Sequence, residues 1–157
     1  DTTFIKDLYI KKTQHVQPAE GSYSGQTSST SYVDVSGASF SLDCSTNLGY
    51  SKVLFEIAIQ TGWGPDAGNN TGDLKIVESV DQTNWTDIEK SKVRIAMTAT
   101  YHDSTFEHRF TLDPWEGTKY FKVQLKSSST ATDFFINKRG YSVYDWLVPP
   151  VINVKII

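Results

Sequence analysis

Hydrophobic residues alternate with polar ones along most of this chain, and the clearest example is the stretch 51–60. Val53, Phe55, Ile57 and Ile59 share one parity, while polar residues dominate the other. Successive side chains of a β-strand point to opposite faces, so the pattern predicts a strand with one buried apolar face. Its branched and aromatic content favours a central strand over an exposed edge.

The same period of two recurs between turn-forming residues along the chain. It predicts further strands over 1–12, 31–43, 74–80, 85–89, 92–99, 105–112, 118–126, 133–146 and 151–157. About ten strands without a convincing helix predict an all-β protein. We expect a two-sheet antiparallel β-sandwich with jelly-roll-like connections, and a closed barrel is the alternative.

Two places depart from simple alternation. The apolar positions of 31–43 change parity between Val35 and Ala38, which predicts one extra residue, a β-bulge, near positions 36 and 37. The stretch 61–73 holds four glycines and one proline. We therefore expect it to be a long loop without regular structure.

The length, charge and cysteine content limit the class of protein. The 157 residues predict one domain spanning 1–157, with an extended loop, or an arm on a neighbouring subunit, in the Gly/Ser/Thr-rich stretch 21–31. The net charge of −3 argues against a nucleic-acid binder, and no apolar run is long enough to predict membrane insertion. Cys44, the single cysteine, excludes an internal disulfide. Because the chain opens on Asp1, a longer gene product is an expectation.

The spacing of the histidines in the sequence does not indicate a catalytic triad or a metal site. His102, Asp103 and Ser104 are adjacent on a predicted strand, so their side chains alternate between faces and do not form a proton relay. His108 lies on an apolar parity, and we expect a hydrogen-bonded core histidine rather than a metal ligand. Neither residue predicts catalysis.

The glutamates of the predicted strands allow a hydrolase hypothesis, but the sequence does not show which two would form a catalytic pair. A glycosidase needs two carboxyl groups about 5–9.5 Å apart. The candidates are Glu56, Glu78, Glu107 and Glu116, each of which is also typical of a solvated strand face. A small hydrolase is the third hypothesis for function.

One loop is rich in oxygen ligands. Asp66, Asn70 and Asp73 lie in 61–73 and are weak candidates for calcium, which binds carboxylate and amide oxygens. Their spacing does not match the twelve-residue calcium loop, so a polar turn is the favoured interpretation. We predict neither a metal nor another cofactor.

Aromatic residues near predicted loops and strand ends suggest sugar binding. Trp63, Trp85, Trp115 and Tyr101 are candidates for stacking on sugar rings, but for Trp85 and Trp115 a position that caps the core is the favoured interpretation. A carbohydrate-binding module of a larger secreted protein is therefore the second hypothesis. It requires that the rings be exposed.

Several motifs resemble a known class of protein. Residues 30–37 are Thr-Ser-Tyr-Val-Asp-Val-Ser-Gly, 51–53 are Ser-Lys-Val, and 78–88 contain Ser-Val-Asp-Gln-Thr-Asn-Trp-Thr-Asp-Ile. Together with 115–125 and 152–157 they resemble β-rich modules in virion proteins of tailed phages, particularly marine ones. Gln82 stands where glycine is usual in the 78–88 hairpin.

The resemblance implies a surface component of a virus particle: a tail-fibre tip, a spike or a capsid decoration. Such modules are commonly trimeric, contact other virion proteins and in some cases host-surface glycans, and the resemblance carries over no catalytic residue. We therefore predict a non-enzymatic virion structural protein that acts in assembly and host attachment. Exposed edge strands add further strands readily. This makes the first and last strands candidates for pairing between subunits, through Phe4, Leu8, Ile10, Ile152, Val154 and Ile156.

Overall fold

The computed structural model describes residues 12–16, 26–44, 52–64, 70–97, 102–131, 133–136 and 151–156. Strands account for nearly all of the regular structure in these residues, and one turn of 3₁₀ helix spans Glu89–Ser91. The strands are β1 (Lys12–Val16), β2 (Gln26–Thr27), β3 (Val33–Cys44), β4 (Val53–Gly64), β5 (Asn70–Ser79), β6 (Thr86–Asp87), β7 (Val93–Met97), β8 (His102–Leu112), β9 (Gly117–Ser127), β10 (Asp133–Ile136) and β11 (Val151–Ile156).

The strands form two antiparallel sheets, which confirms the all-β prediction. In the first sheet β4 pairs with β8 on one side, with β11 and β10 on the other, and β1 and β2 lie beyond these two. In the second sheet the order is β3-β9-β5, and β6 and β7 both pair with the far side of β5.

The strand pairs are nested in sequence. β1 pairs with β11, β2 with β10, β3 with β9, β4 with β8, and β5 with β7, so each pair lies between the members of the pair before it. The nested pairs together form one long two-stranded ribbon. Additional pairing of β4 with β11, and of β5 with β9, folds this ribbon into two sheets. The arrangement is that of a jelly roll, as predicted.

Aromatic rings from both sheets meet in the core. Phe55 of β4 stacks on Phe110 of β8 with ring centroids 4.8 Å apart, and its edge meets Phe121 of β9 at 5.4 Å. Phe121 in turn stacks on Phe40 of β3 at 5.0 Å and contacts Trp115 at 5.8 Å. Aromatic pairs of this kind add roughly 0.5–1.5 kcal/mol beyond the burial of their surface. The two sheets are therefore packed face to face, as a sandwich.

Two predictions from the alternating pattern are confirmed. Val53, Phe55 and Ile57 are buried on one face of β4, which has paired strands on both sides. In β3 the register shifts between Asp34 and Ser39, where the parity of the apolar residues changes. The irregularity is larger than the single residue predicted, because residues 35–38 stand opposite Val123 alone.

The prediction that 61–73 is a loop without regular structure is wrong at both ends. β4 continues to Gly64, where residues 61–64 pair with β10, and β5 begins at Asn70. Gly72 pairs with Ile95 on one side and with Ser127 on the other. Glycine weakens a strand, but pairing with neighbouring strands outweighs that local preference. Residues 65–69 lie outside the described residues.

The boundaries of other predicted elements also change. In the return strand predicted over 85–89, pairing is confined to Thr86–Asp87, and the chain then turns through the 3₁₀ helix. Of the stretch predicted over 133–146, β10 takes up 133–136, and the remainder lies outside the described residues.

The expectation that the C-terminal strand is an exposed edge is wrong. β11 lies between β1 and β4, so the main chain of Ile152, Val154 and Ile156 has a neighbouring strand on each side. The predicted first strand over 1–12, including Phe4, Leu8 and Ile10, lies outside the described residues apart from Lys12, where β1 begins.

The outer edge of β8 is partly covered by the 3₁₀ turn. Lys90 Nζ donates to the carbonyl oxygen of Thr111 at 3.1 Å, and the Nε2–H of His108 donates to the carbonyl oxygen of Lys90 at 2.7 Å. The turn joins β6 to β7, both of which belong to the second sheet, so these contacts tie one sheet to the other. The hydrogen bond expected of His108 is confirmed, but its ring is half-buried and is not part of the core.

Part of the Gly/Ser/Thr-rich stretch 21–31 packs on its own chain. Residues 26 and 27 form β2 against β10, and Thr27 is buried. The backbone N–H of Ser127 donates to the carbonyl oxygen of Ser29 at 2.8 Å. Residues 21–25 lie outside the described residues.

Candidate functional site: the outer face of the second sheet

The outer face of the second sheet is covered by side chains of its own. On β5 the outward residues Asp73, Lys75, Val77 and Ser79 are only 3–9% exposed, as little as many core residues. An outward strand face is usually wet in an antiparallel sandwich. The long and aromatic residues of the neighbouring strands and turns therefore form a third layer here.

Paired charges run across this face, which we call the polar face. Arg94 of β7 donates to both carboxylate oxygens of Asp73, at 2.8 and 3.0 Å, and Lys126 lies 3.5 Å from the same group. Burial alone would raise the pKa of Asp73, but the hydrogen bonds and charge of Arg94 outweigh it and hold that pKa below its usual value. The carboxylate is therefore ionised and fixed in place.

Two further ion pairs, which share the carboxylate of Asp87, extend the network. Lys75 donates to Asp87 at 2.6 Å, and Lys92 lies 3.0 Å from the other oxygen of that carboxylate. The hydrogen bond from Lys75 is the main cause that lowers the pKa of Asp87. Isolated surface ion pairs contribute little to stability, whereas pairs that share partners also fix side-chain positions.

Tyr32 lies at one end of the polar face, just before β3. The ammonium groups of Lys75 and Lys126 stand 4.1 and 4.8 Å from the centre of its ring, within the range of cation–π attraction. Burial, followed by the nearby Asp73 carboxylate, raises the pKa of the Tyr32 phenol. A groove of about 280 Å³ opens here, lined by Tyr32, Asp73, Lys92, Val93 and Arg94.

Trp85 lies toward the other end of the polar face, after the turn 81–84. Its indole N–H donates to the carbonyl oxygen of Gln82 at 3.2 Å, and Lys122 Nζ lies 4.2 Å from the centre of its rings. Asp81 holds the turn by accepting hydrogen bonds from the backbone N–H groups of Thr83 and Asn84, both at 2.8 Å. Gln82 adopts the left-handed conformation, with φ 61°. The position of the indole is thus set by the turn.

A second groove, of about 320 Å³, lies beside Trp85. Ser39 and Ser41 of β3 stand directly opposite Lys122 and Tyr120 of β9, so all four belong to the outward parity. The full lining is Ser39, Phe40, Ser41, Gln82, Trp85, Tyr120, Phe121 and Lys122. An aromatic ring surrounded by hydroxyl, amide and ammonium groups is suited to a polar ligand with apolar faces, such as a sugar.

The aromatic residues considered for stacking on sugars lie in different parts of the structure. Trp85 lies on the polar face and lines its groove. Trp115 is 9% exposed and packs in the core against Phe121, so the interpretation that it caps the core holds and it is not a stacking residue. Trp63 lies in β4 opposite Phe134 and His102. Its side chain and all of Tyr101 lie outside what the structure describes.

The candidate calcium ligands do not come together as a loop. Asp73 is in a strand with its carboxylate engaged by Arg94 and Lys126, and Asn70 lies in the same strand with its side-chain oxygen 3.4 Å from the hydroxyl of Ser128. Asp66 lies outside the described residues. In the described ranges, no three His, Cys, Asp or Glu side chains gather closely enough to hold a metal ion.

The carboxylates considered for hydrolysis also have structural partners. Glu56 lies 3.2 Å from Arg109, which faces it from β8, and Glu78 lies 3.1 Å from Lys119. Glu107 and Glu116 are exposed. None of these contacts places two carboxyl groups across a groove.

Tyr32 is the residue that the sequence did not select. It belongs to the motif at residues 30–37, where Val33 and Val35 carry the alternation that predicts a strand. Its place between two lysines depends on β9 and β5, which are distant in sequence. The available signal was a lone tyrosine in a Ser/Thr-rich segment just before a strand.

Comparisons with known proteins identify no family for this chain. No family model and no curated protein matches the chain. Among solved structures, the insecticidal delta-endotoxin Cry8Ea1 from Bacillus thuringiensis is 12% identical with a TM-score of 0.44, covering 96% of this chain and 25% of its own. A CocE/NonD family hydrolase from Staphylococcus aureus is 10% identical with a TM-score of 0.37, covering 93% of this chain and 37% of its own.

The described residues contain no helix that is both long and apolar enough to cross a membrane.

Proposed function

We propose that the chain is a non-enzymatic surface module of a virus particle, a jelly roll that acts through contact with other virion proteins. We further propose that it assembles as a homotrimer at the virion surface and that attachment to a host glycan is its second role. The motif resemblance in 30–37, 51–53 and 78–88 motivates this proposal.

The observation that best supports a binding role for the polar face, in host attachment, is the state of its charges. Asp73 is held by Arg94, Asp87 by Lys75, and Asp34 by Lys122 and Gln124. General acid–base catalysis requires a group that is free to exchange a proton near the working pH. Charges fixed against one another instead provide a rigid, preformed surface, which lowers the entropy lost on binding.

The test has two measurements. Mass spectrometry of purified particles from the virus that encodes the chain should find it in stoichiometric amounts, and antibody labelling should place it on the surface. Light scattering of the isolated chain should give three times the mass of the 17.6 kDa monomer. A chain absent from particles would contradict the proposal, and a monomer at all concentrations would contradict the trimer.

A carbohydrate-binding module is the second candidate, favoured by the groove beside Trp85. Such a module binds glycans as an isolated chain and needs no particle. A glycan array probed with the purified chain separates the two, because specific signal together with absence from particles supports the module. A blank array together with presence in particles supports the virion role.

A further inference from the structure

Each groove of the polar face contains an aromatic ring that a lysine of β9 contacts. Lys122 contacts the ring of Trp85, and Lys126 contacts that of Tyr32. Both lysines belong to β9, and four residues of strand separate them by about 13 Å. A single extended ligand can therefore reach both aromatic rings.

Hydrogen-bonding groups fill the distance between the grooves. Gln124 lies between the two lysines on the outward parity of β9, and its amide donates to Asp34 at 2.7 Å. Lys75 faces Gln124 from β5. Amide, carboxylate and ammonium groups thus form a continuous polar row from one ring to the other.

The chemistry of this row favours a glycan over other partners. Protein interfaces rely on large apolar or aromatic anchors that enter pockets, and the large hydrophobics exposed among the described residues are only Val33 and Val80. Nucleic acids need cations that are free to contact phosphates, but here Asp34, Asp73 and Asp87 pair with the basic side chains of the face. A sugar chain presents apolar ring faces and hydroxyl groups at short intervals, which suits aromatic rings separated by mixed donors and acceptors.

We propose that the polar face binds one extended oligosaccharide, with one sugar ring at Trp85 and another at Tyr32. The inference rests on the proposed attachment to a host glycan and names its site and the length of its ligand. It adds Tyr32 as a binding residue and makes the distance between the two grooves the feature that selects long chains over single sugars. Two linked contacts strengthen binding because the second forms without a further loss of translational freedom.

Fragments of bacterial surface polysaccharides, graded from one to six sugars and immobilised as an array, provide the probe. The variants are Trp85→Ala, Tyr32→Ala and the double variant, and the matched control is Glu107→Ala, an exposed residue of β8 in the first sheet. Circular dichroism and thermal melting check that each variant is folded. For the longest fragments we expect each single variant to lose at least tenfold in affinity, which corresponds to about 1.4 kcal/mol.

The length dependence distinguishes this site from a single-sugar site. Each single variant should weaken the longest fragments far more than one-sugar and two-sugar fragments, because a short fragment can still bind at the remaining ring. Backbone amide shifts on titration with the longest bound fragment should map to β9 and β5, and this readout does not require a variant to fold. Equal loss for all fragments in both variants, or shifts confined to other strands, would overturn the inference.

Its failure can be told apart from failure of the proposed function. If the chain is present in particles but no fragment binds, the virion role stands and this inference is lost. If fragments bind through Trp85 and Tyr32 but the chain is absent from particles, the site stands and the virion role is lost. Binding that Glu107→Ala abolishes as strongly as Tyr32→Ala would also contradict the site.

Discussion

The hydroxyl of Ser91 makes the hydrogen bonds to the backbone of Ile76 that a neighbouring strand would otherwise make. The backbone N–H of Ile76 donates to Ser91 Oγ at 2.8 Å, and the same oxygen lies 3.2 Å from the carbonyl oxygen of Ile76. β6 pairs with β5 at residues 77 and 78, and β7 pairs with it at residues 70–74, so Ile76 falls in the gap between them. A buried side chain thus completes the hydrogen bonding of the sheet where the paired strands do not.

Ser91→Ala should destabilise the protein by about 1–3 kcal/mol, because it leaves a buried backbone donor without its acceptor. Ser91 is fully buried, so water cannot replace the hydroxyl. Urea denaturation followed by tryptophan fluorescence measures the change in the free energy of unfolding. Ser31→Ala, at an exposed serine, is the control and should change stability by less than about 0.5 kcal/mol. Equal effects at the two positions would contradict the role given to Ser91.

Gln82→Gly should raise the stability. Gln82 has φ 61°, in the left-handed region that costs a residue with a Cβ roughly 1–2 kcal/mol, although the greater freedom of glycine in the unfolded chain offsets part of the gain. We expect a net stabilisation of up to about 1 kcal/mol by thermal denaturation.

Gly117→Ala provides the opposite experiment. Gly117 has φ 84° and an added Cβ would meet nothing within 4 Å, so the substitution tests backbone conformation without a clash. It should lower the stability by about 1 kcal/mol. A destabilising Gln82→Gly together with a neutral Gly117→Ala would show that backbone strain does not govern these turns.

The stability should fall in acid partly through Asp81. Hydrogen bonds from the backbone N–H groups of Asn84 and Thr83, followed by those from the side chains of Asn84 and Ser79, hold the pKa of Asp81 far below its usual range. Since the folded pKa is the lower one, the stabilisation is complete above the unfolded value of about 4 and is lost as the pH falls toward the folded value.

Asp81→Asn should therefore make the stability less dependent on pH below about 4. The measurement is the urea midpoint of both proteins at intervals from neutral pH to strong acid. The two curves should converge as the pH falls, because the wild type loses a contribution that the variant lacks. Parallel curves over the acid range would contradict the role of the Asp81 carboxylate.

Trp115→Ala should destabilise far more than Trp85→Ala. Trp115 packs against Phe121 in the core, and truncation of a buried tryptophan costs about 3–5 kcal/mol. Its indole nitrogen is buried without a hydrogen-bond partner among the described residues, so Trp115→Phe should recover much of the loss. Denaturant titrations of the three variants give the order, and a larger effect at Trp85 would contradict the placement of both residues.

The sequence predicts which faces of the strands are buried better than it predicts where the strands begin and end. Parity alone identified the buried face of β4 and the change of face in β3, because alternation in a strand is a local property. The strands through Gly64 and from Asn70 were missed, since glycine and proline argue against regular structure and only pairing with β8, β10 and β7 overrides them. The jelly roll was an expectation from strand number, and its pairing could not be read from single segments.

The sequence identifies only one of the two aromatic residues of the candidate site. Trp85 was selected because it follows a recognisable turn, and Trp115 was selected on the same reasoning although it points into the core. Which side of a turn a tryptophan faces depends on the sheet packed against it. Tyr32 and its two lysines come from three separate stretches of chain, so no local pattern marks them as neighbours.

The nested pairing of strands sets an order for folding. β5 and β7 are joined by residues 80–92, whereas β1 and β11 come from opposite ends of the chain. The entropy lost on closing a loop rises with its length, so we expect the pairs nearest the centre of the sequence to form first and the β1–β11 pair to form late. A chain whose contacts are this distant in sequence folds slowly, and until β11 arrives, β4 presents an open side to any other extended chain nearby.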